Sequence, residues 1–198
     1  MRIIKTVAAF ILAAHSASAS PEFWVHEWPD TNFENTSVAN WVEILSGGPP
    51  KDGIPAIDDP QFISVSDAEL ATNEPAITVE IEGQTPRAYP IRYLMWHEIV
   101  NDQIGDFPIA VTFCPLCNSG IVFDRRSPVG TLHFGVSGKL RNSDMIMFDR
   151  ETQSWWQQAI GEAIVGDLTG TQLQVLPGWM ESWDTFRARN PNGRVMAE

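Results

Sequence analysis

Pro108-Ile109-Ala110-Val111-Thr112-Phe113-Cys114-Pro115-Leu116-Cys117-Asn118-Ser119-Gly120-Ile121-Val122-Phe123-Asp124 is the stretch whose reading decides the fold. Two runs of apolar, strand-forming residues flank a short turn that carries proline, asparagine and both cysteines of the chain. Pro108 to Phe113 reads as a strand leading directly into Cys114, and Gly120 to Asp124 as the strand that follows. A thioredoxin-like pair would open a helix after its first cysteine. Here Asn118-Ser119-Gly120 follows the second cysteine and an apolar strand resumes at once. The pair therefore sits on a strand–turn–strand knuckle.

Working outward, the same pattern recurs. Upstream, Ala76 to Glu82 alternates as a strand, Gly83-Gln84 turns, and Arg87 to Pro90 returns. Ile91 to Asn101 is expected to be a helix with Ile91, Leu94, Met95 and Ile99 on one stripe, and Tyr93, His97 and Asn101 on another face. Ser66-Asp67-Ala68-Glu69 has the form of a capping box with Ser66 as N-cap. Gly47-Gly48-Pro49-Pro50-Lys51-Asp52-Gly53 is a structured loop, because such a run suits neither helix nor central strand. Before it, an aromatic segment with Trp24, Trp28, Phe33 and Trp41 is expected to wrap the domain, with a short helix near Val38 to Leu45. Downstream, Thr131 to Val136 and Met145 to Asp149 read as strands. Ile164 to Gly166 and Thr171 to Leu176 are expected to pair, and Trp179, Trp183 and Phe186 to lie on a closing amphipathic helix. Strand and helix do not alternate regularly. The expectation is an α+β domain, a mainly antiparallel sheet or barrel-like meander with two or three short helices.

The ends and the charge bound the setting. Arg2 and Lys5, an apolar stretch from Val7 to Ala14 and Ala17-Ser18-Ala19 form a secretory leader over residues 1–19. Its apolar run is about half of the ~20 residues a spanning helix needs. Residues 20–198 then form a single globular domain, periplasmic or secreted, with no membrane span after leader cleavage. Without Arg2 and Lys5 the remaining chain has 25 acids against 11 bases, a formal charge of −14. Such a charge disfavours nucleic acid and anionic membranes and leaves an unknown protein or small molecule as partner.

Cys114 and Cys117 allow three readings. Both thiolates bind a soft ion, copper or zinc. Alternatively, Cys114 attacks a substrate disulfide and Cys117 resolves it, which would make the protein a thiol–disulfide oxidoreductase. Or the pair is a permanent staple in a non-catalytic binding module. So small a ring removes only about 2 kcal/mol of unfolded-chain entropy, and the knuckle context favours metal, copper first. The expected third ligand is His97, placed near the cysteines by a short helix-to-strand connection. Glu98 beside it is a candidate acid or base. Gly135-Val136-Ser137-Gly138 and Arg141-Asn142-Ser143-Asp144 read as a polar, glycine-punctuated loop, in which Asp144, with Asn142 and Ser143, is expected to orient the ligands. Asp124-Arg125 and Asp149-Arg150 look like turn ion pairs. Trp155-Trp156 either packs over the sheet or walls a pocket. His97-Glu98-Ile99-Val100-Asn101 begins like a zinc-protease helix but lacks the second histidine, so that reading is rejected.

Several segments together resemble a bacterial family catalogued as domain of unknown function 3179. They are Gly47-Gly48-Pro49-Pro50-Lys51-Asp52-Gly53-Ile54-Pro55, Arg87-Ala88-Tyr89-Pro90, Trp96-His97-Glu98-Ile99-Val100-Asn101-Asp102, Val111-Thr112-Phe113-Cys114-Pro115-Leu116-Cys117, Phe134-Gly135-Val136-Ser137-Gly138, Asn142-Ser143-Asp144 and Asp149-Arg150-Glu151-Thr152. The resemblance implies neither an activity nor a fold. It does place the residues chosen by chemistry in one set, to which His133 does not clearly belong. The family commonly has glycine where this chain has Asn118.

Overall fold

The computed structural model describes residues 21–197, so the expected leader lies outside the described residues. In chain order the elements are α1 (Glu22–Val25), β1 (Ile44–Ser46), β2 (Phe62–Ser64), β3 (Pro75–Val79), β4 (Arg87–Pro90), α2 (Ile91–His97), β5 (Ile99–Ile104), β6 (Phe107–Cys114) and β7 (Ser119–Asp124). A small pair, β8 (Arg126–Ser127) and β9 (Gly130–Thr131), precedes β10 (Phe134–Arg141) and β11 (Asp144–Asp149). The chain ends with β12 (Trp155–Gln157), β13 (Glu162–Val165), β14 (Gly178–Ser182), α3 (Trp183–Arg189) and β15 (Arg194–Met196).

Two five-stranded sheets, ordered β1-β10-β11-β12-β13 and β14-β3-β4-β15-β2, flank the three-stranded sheet β5-β6-β7. Pairing between these strands is antiparallel except for β15 on β4. This is the expected α+β class. Among the described residues no sheet closes on itself, so the barrel-like alternative is not adopted.

The alternation of β6 explains how the layers meet. Ile109, Val111 and Phe113 pack with Ile77, Val79, Tyr89 and Leu94. Ala110 and Cys114 take the opposite phase and pack with Phe134, Met145, Met147 and Trp156. A strand covered on both faces is apolar nearly throughout, which is why its sequence is a run broken only by Thr112 rather than an alternation. Each buried Ile, Val or Phe contributes roughly 1.5–3 kcal/mol. The same phase turns Cys114 toward β11. On the far side of the β10–β13 sheet, Trp28, Phe33 and Trp155 form an aromatic cluster, with Trp28 and Phe33 edge-on to Trp155 at 5.2 and 5.4 Å. The N-terminal segment thus wraps the domain, and Trp155 and Trp156 point to opposite faces.

Several local expectations are corrected. The helix from Ile91 stops at His97, because Glu98 takes φ 59° and the β-branched pair Ile99-Val100 enters β5 against β6. Asn101 is therefore a buried strand residue; its side chain donates to Asp58 and to the Phe134 carbonyl and accepts from the Phe134 N–H. The helix expected at 38–45 is a single 3-10 turn, Trp41–Glu43, before β1 joins β10. Ser64 rather than Ser66 caps the turn at Val65–Asp67. Trp179 lies on β14, and α3 starts at Trp183 with Ser182 as N-cap. The stretch 135–144 is not a loop but the β10–β11 hairpin, carrying a bulge between Val136 and Lys139. The 171–173 segment meets residues 161–163 through backbone bonds, while β13 itself pairs with β12. Asp124 pairs with Arg126 rather than Arg125, and Arg150 with Asp52 and Asp58 rather than Asp149.

Candidate functional site

The cysteines sit at the tip of the β6–β7 hairpin. Cys114 pairs with Ser119 across it, leaving Pro115 to Asn118 as a four-residue turn. Pro115 has a fixed φ. Asn118 closes the turn at φ 48°, a left-handed conformation open mainly to glycine and asparagine. That tolerance accounts for an asparagine at this position. The Cα atoms of Cys114 and Cys117 lie 5.6 Å apart, within the range a disulfide spans, with their sulfurs near disulfide distance. Their settings differ sharply: Cys114 is 1% exposed in the core, whereas Cys117 faces solvent.

A second hairpin tip meets the first. The β10–β11 connection is a two-residue turn, Asn142-Ser143, with both residues at positive φ (53° and 67°) between paired Arg141 and Asp144. This is the primed type of turn that tight hairpins favour. It delivers Asp144 to the knuckle: Oδ1 lies 3.6 Å from Cys117 Sγ, and Oδ2 accepts from the Ala159 N–H at 2.9 Å. The Ser143 carbonyl lies 3.9 Å from Cys114 Sγ. One ligand atom each from Cys114, Cys117 and Asp144 falls within 4.8 Å of the others. Burial pushes the Asp144 carboxyl above its usual range, partly offset by the Ala159 N–H and Gln157. Asn142 serves the turn.

Cys117 Sγ also lies 3.3 Å from Ser119 Oγ, which donates to Gln158 Oε1; Gln158 Nε2 in turn donates to Thr112 Oγ1. This polar chain runs from the exposed sulfur into the core. Sequence reasoning missed Ser119 and Gln158, since neither has a local signature. His97, the expected third ligand, is held by the 47–58 segment. Its Nδ1–H donates to the Pro55 carbonyl at 2.8 Å, and it is not a member of the cysteine cluster, where Asp144 stands instead. His133 pairs with Glu151 on the surface. Trp156 packs in the Cys114 cluster and donates its indole N–H to Asp149.

Beside the knuckle opens a cleft of ≈ 280 Å³, lined by Pro115 and Leu116 among others. Glu98 lines it, and burial raises its carboxyl from 4.5 to about 7.

Residues 51–198 match the family described as "Protein of unknown function (DUF3179)". No curated protein and no solved structure matches the chain.

Proposed function

The chain belongs to this family, and from the geometry of its cysteine pair we propose that it binds one metal ion through Cys114, Cys117 and Asp144. The meeting of these three donors at two hairpin tips supports the reading. Two ligands on one tetrahedral ion, bonded at about 2.0–2.3 Å, lie roughly 3.5 Å apart. Cys117 Sγ and Asp144 Oδ1 already stand at 3.6 Å. Two thiolates with a carboxylate suit zinc better than copper(I), which prefers sulfur and imidazole. The exchange of His97 for Asp144 thus moves the metal from copper to zinc. The Ala159 N–H orients the carboxylate. Loading requires a reduced pair and releases thiol protons. The protein acts outside the cytoplasm on this reading, as its leader-like first residues imply; fractionation of the tagged full-length chain checks that.

Zinc and copper uptake by the reduced protein tests the proposal. Stoichiometric zinc is expected, abolished in Cys117→Ser, weakened about 10–100-fold in Asp144→Asn and unchanged in His97→Ala. No uptake of either metal by the reduced wild type would sink it.

The contrast between buried Cys114 and exposed Cys117 favours one second reading, thiol–disulfide exchange. In that case Cys117, not Cys114, is the sulfur that partners reach. A substrate thiolate attacks Cys117 Sγ, the S–S bond breaks, and Cys114 leaves with the electron pair and takes a proton. A second substrate thiolate then displaces Cys117, leaving the substrate oxidised and the pair reduced. Run in reverse, the Cys117 thiolate attacks a disulfide probe, expelling one of its sulfurs as a thiol, and Cys114 resolves the mixed disulfide; with such a disulfide probe, Cys114→Ser should trap that mixed disulfide and Cys117→Ser should not.

A further inference from the structure

The cleft beside the knuckle has an unusual electrostatic interior. Ile54, Met95, Leu116, Val136, Leu140 and Met145 make its walls apolar. Two ionisable residues line it, Glu98 and Lys139. The Lys139 ammonium is committed elsewhere: it pairs with Glu27 at 2.7 Å and lies over the Trp24 ring. Glu98 is different. Its backbone is fully used, N–H to the Leu94 carbonyl and C=O to the Phe113 N–H. Among the described residues nothing hydrogen-bonds or ion-pairs with its carboxyl, and burial alone accounts for its raised pKa.

The backbone there is also strained. Glu98 holds φ 59° and ψ −32°, a region that non-glycine residues enter at a cost of about 1–3 kcal/mol. Glycine would relieve that cost, yet the position holds an acidic residue that lines an apolar cleft. The chain as a whole is acidic, with a formal charge of −12, so its long-range field draws cations. Pockets of this kind take ligands through an apolar body and one placed polar group.

We propose that this cleft binds a small organic cation, an aliphatic amine whose tail covers the apolar walls and whose ammonium pairs with Glu98. The site stands independently of any metal at the cysteines. The other charged groups on the surrounding elements are engaged: Arg92 of α2 with Glu74, His97 with Pro55, Asp52 of the loop with Arg150, Arg141 of β10 with Glu43, and Asp144 and Asp149 of β11 with Ala159 and Trp156. Lys51 of the loop lies over Trp28 and donates to Gln153.

The test uses metal-free full-length protein, so that an amine cannot score by ligating metal. The probes are hexylamine, 1-hexanol and hexanoate, with affinities read by NMR shift titration. At pH 8 hexylamine is expected to bind about tenfold tighter than either of the others. An alkylammonium with a pKa of about 10.4 stays charged from pH 5.5 to 8. Glu98 ionises across that window, so amine affinity should rise with pH while hexanol affinity stays flat. Glu98→Gln should remove both the preference and the pH dependence. Leu116→Arg, a change at an exposed position on the rim, should weaken hexylamine without unfolding the chain and serves if Glu98→Gln misfolds. Equal affinity for the three probes, a pH-flat wild type, or an amine preference surviving in Glu98→Gln would overturn the proposal.

Discussion

Single residues at the site are held in conformations that their neighbours dictate. Asn118 must be left-handed for the four-residue turn to close. Asn118→Gly should therefore change stability by no more than about 0.5 kcal/mol, while Asn118→Val should cost about 1–2 kcal/mol; urea midpoints check both. Glu98 gives a pH prediction with a definite sign. Its folded pKa, about 7, lies above the unfolded 4.5. The folded state thus holds the proton more tightly, and that contribution is full below pH ~4.5 and lost as pH rises through 7. Glu98→Gln should accordingly gain on wild type as pH rises from 5 to 8. After discounting for partial solvent exposure the gain is on the order of 1 kcal/mol, read as a widening gap in Tm. A Tm difference, variant minus wild type, that stays constant or falls as pH rises would contradict the assignment. The cysteines were legible as a pair, but their unequal exposure was not. It follows from the inward phase of Cys114 on β6, which only the packing of β6 between two sheets sets.

At the scale of elements, the hairpins that build the site depend on defects in regular pairing. The bulge in β10 puts Gly138 at φ 71°, where its carbonyl accepts from the Gly47 N–H at 2.8 Å. A β-carbon at Gly138 would run into the Pro49 carbonyl. Gly138→Ala should therefore push the 47–53 loop off the sheet and open the cleft, at a cost of about 2–4 kcal/mol. Faster backbone hydrogen exchange at Gly47 and Asp52, which both bond to β10, would register it. The same defect explains what sequence patterning missed. Gly135-Val136-Ser137-Gly138 reads as a loop because glycines punctuate it, yet a bulge lets the strand run through them. The helix at Ile91 was legible, but its end was not. Nothing in Trp96-His97-Glu98-Ile99 is a conventional stop signal; the tertiary pairing of Ile99 with Thr112 overrides the helical period there. Asp144 joins the cysteines because a tight turn projects it there, a placement that no local pattern announces. Strands β3, β4, β6, β7 and β11 were legible because their apolar runs are bounded by turn residues.

Across the whole molecule, long-range order was the least legible level. The return of β15 to lie parallel to β4, and the split of the strands into three layers, depend on contacts between distant segments that no local period encodes. The aromatic N-terminal segment shows what such contacts contribute. It precedes the family match at residue 51, yet it supplies β1 to the edge of one sheet and Trp28 to the cover of Trp155. It also supplies Glu27, whose carboxylate is the counter-charge of Lys139, an ammonium on a side chain 2% exposed. Burial opposes the charge on Glu27, but bonds from Lys139 and the Lys51 N–H outweigh it and hold its pKa below the usual value. A lowered carboxylate pKa adds stability above the unfolded value of 4.5 that is lost as pH falls through the folded value. Removing only the acid leaves a buried, unpaired ammonium. Glu27→Gln should therefore cost about 2–4 kcal/mol at pH 7, and much of that cost should vanish in Glu27→Gln/Lys139→Met, where no charge remains to be compensated. Denaturant unfolding of both variants separates two roles for the segment. If the double variant recovers stability, the ion pair compensates a charge that the fold could do without. If it stays as unstable as the single variant, the pair itself fastens the aromatic segment to β10. The first outcome is expected, because Trp24, Trp28 and Phe33 already bury the segment's apolar surface against Trp155.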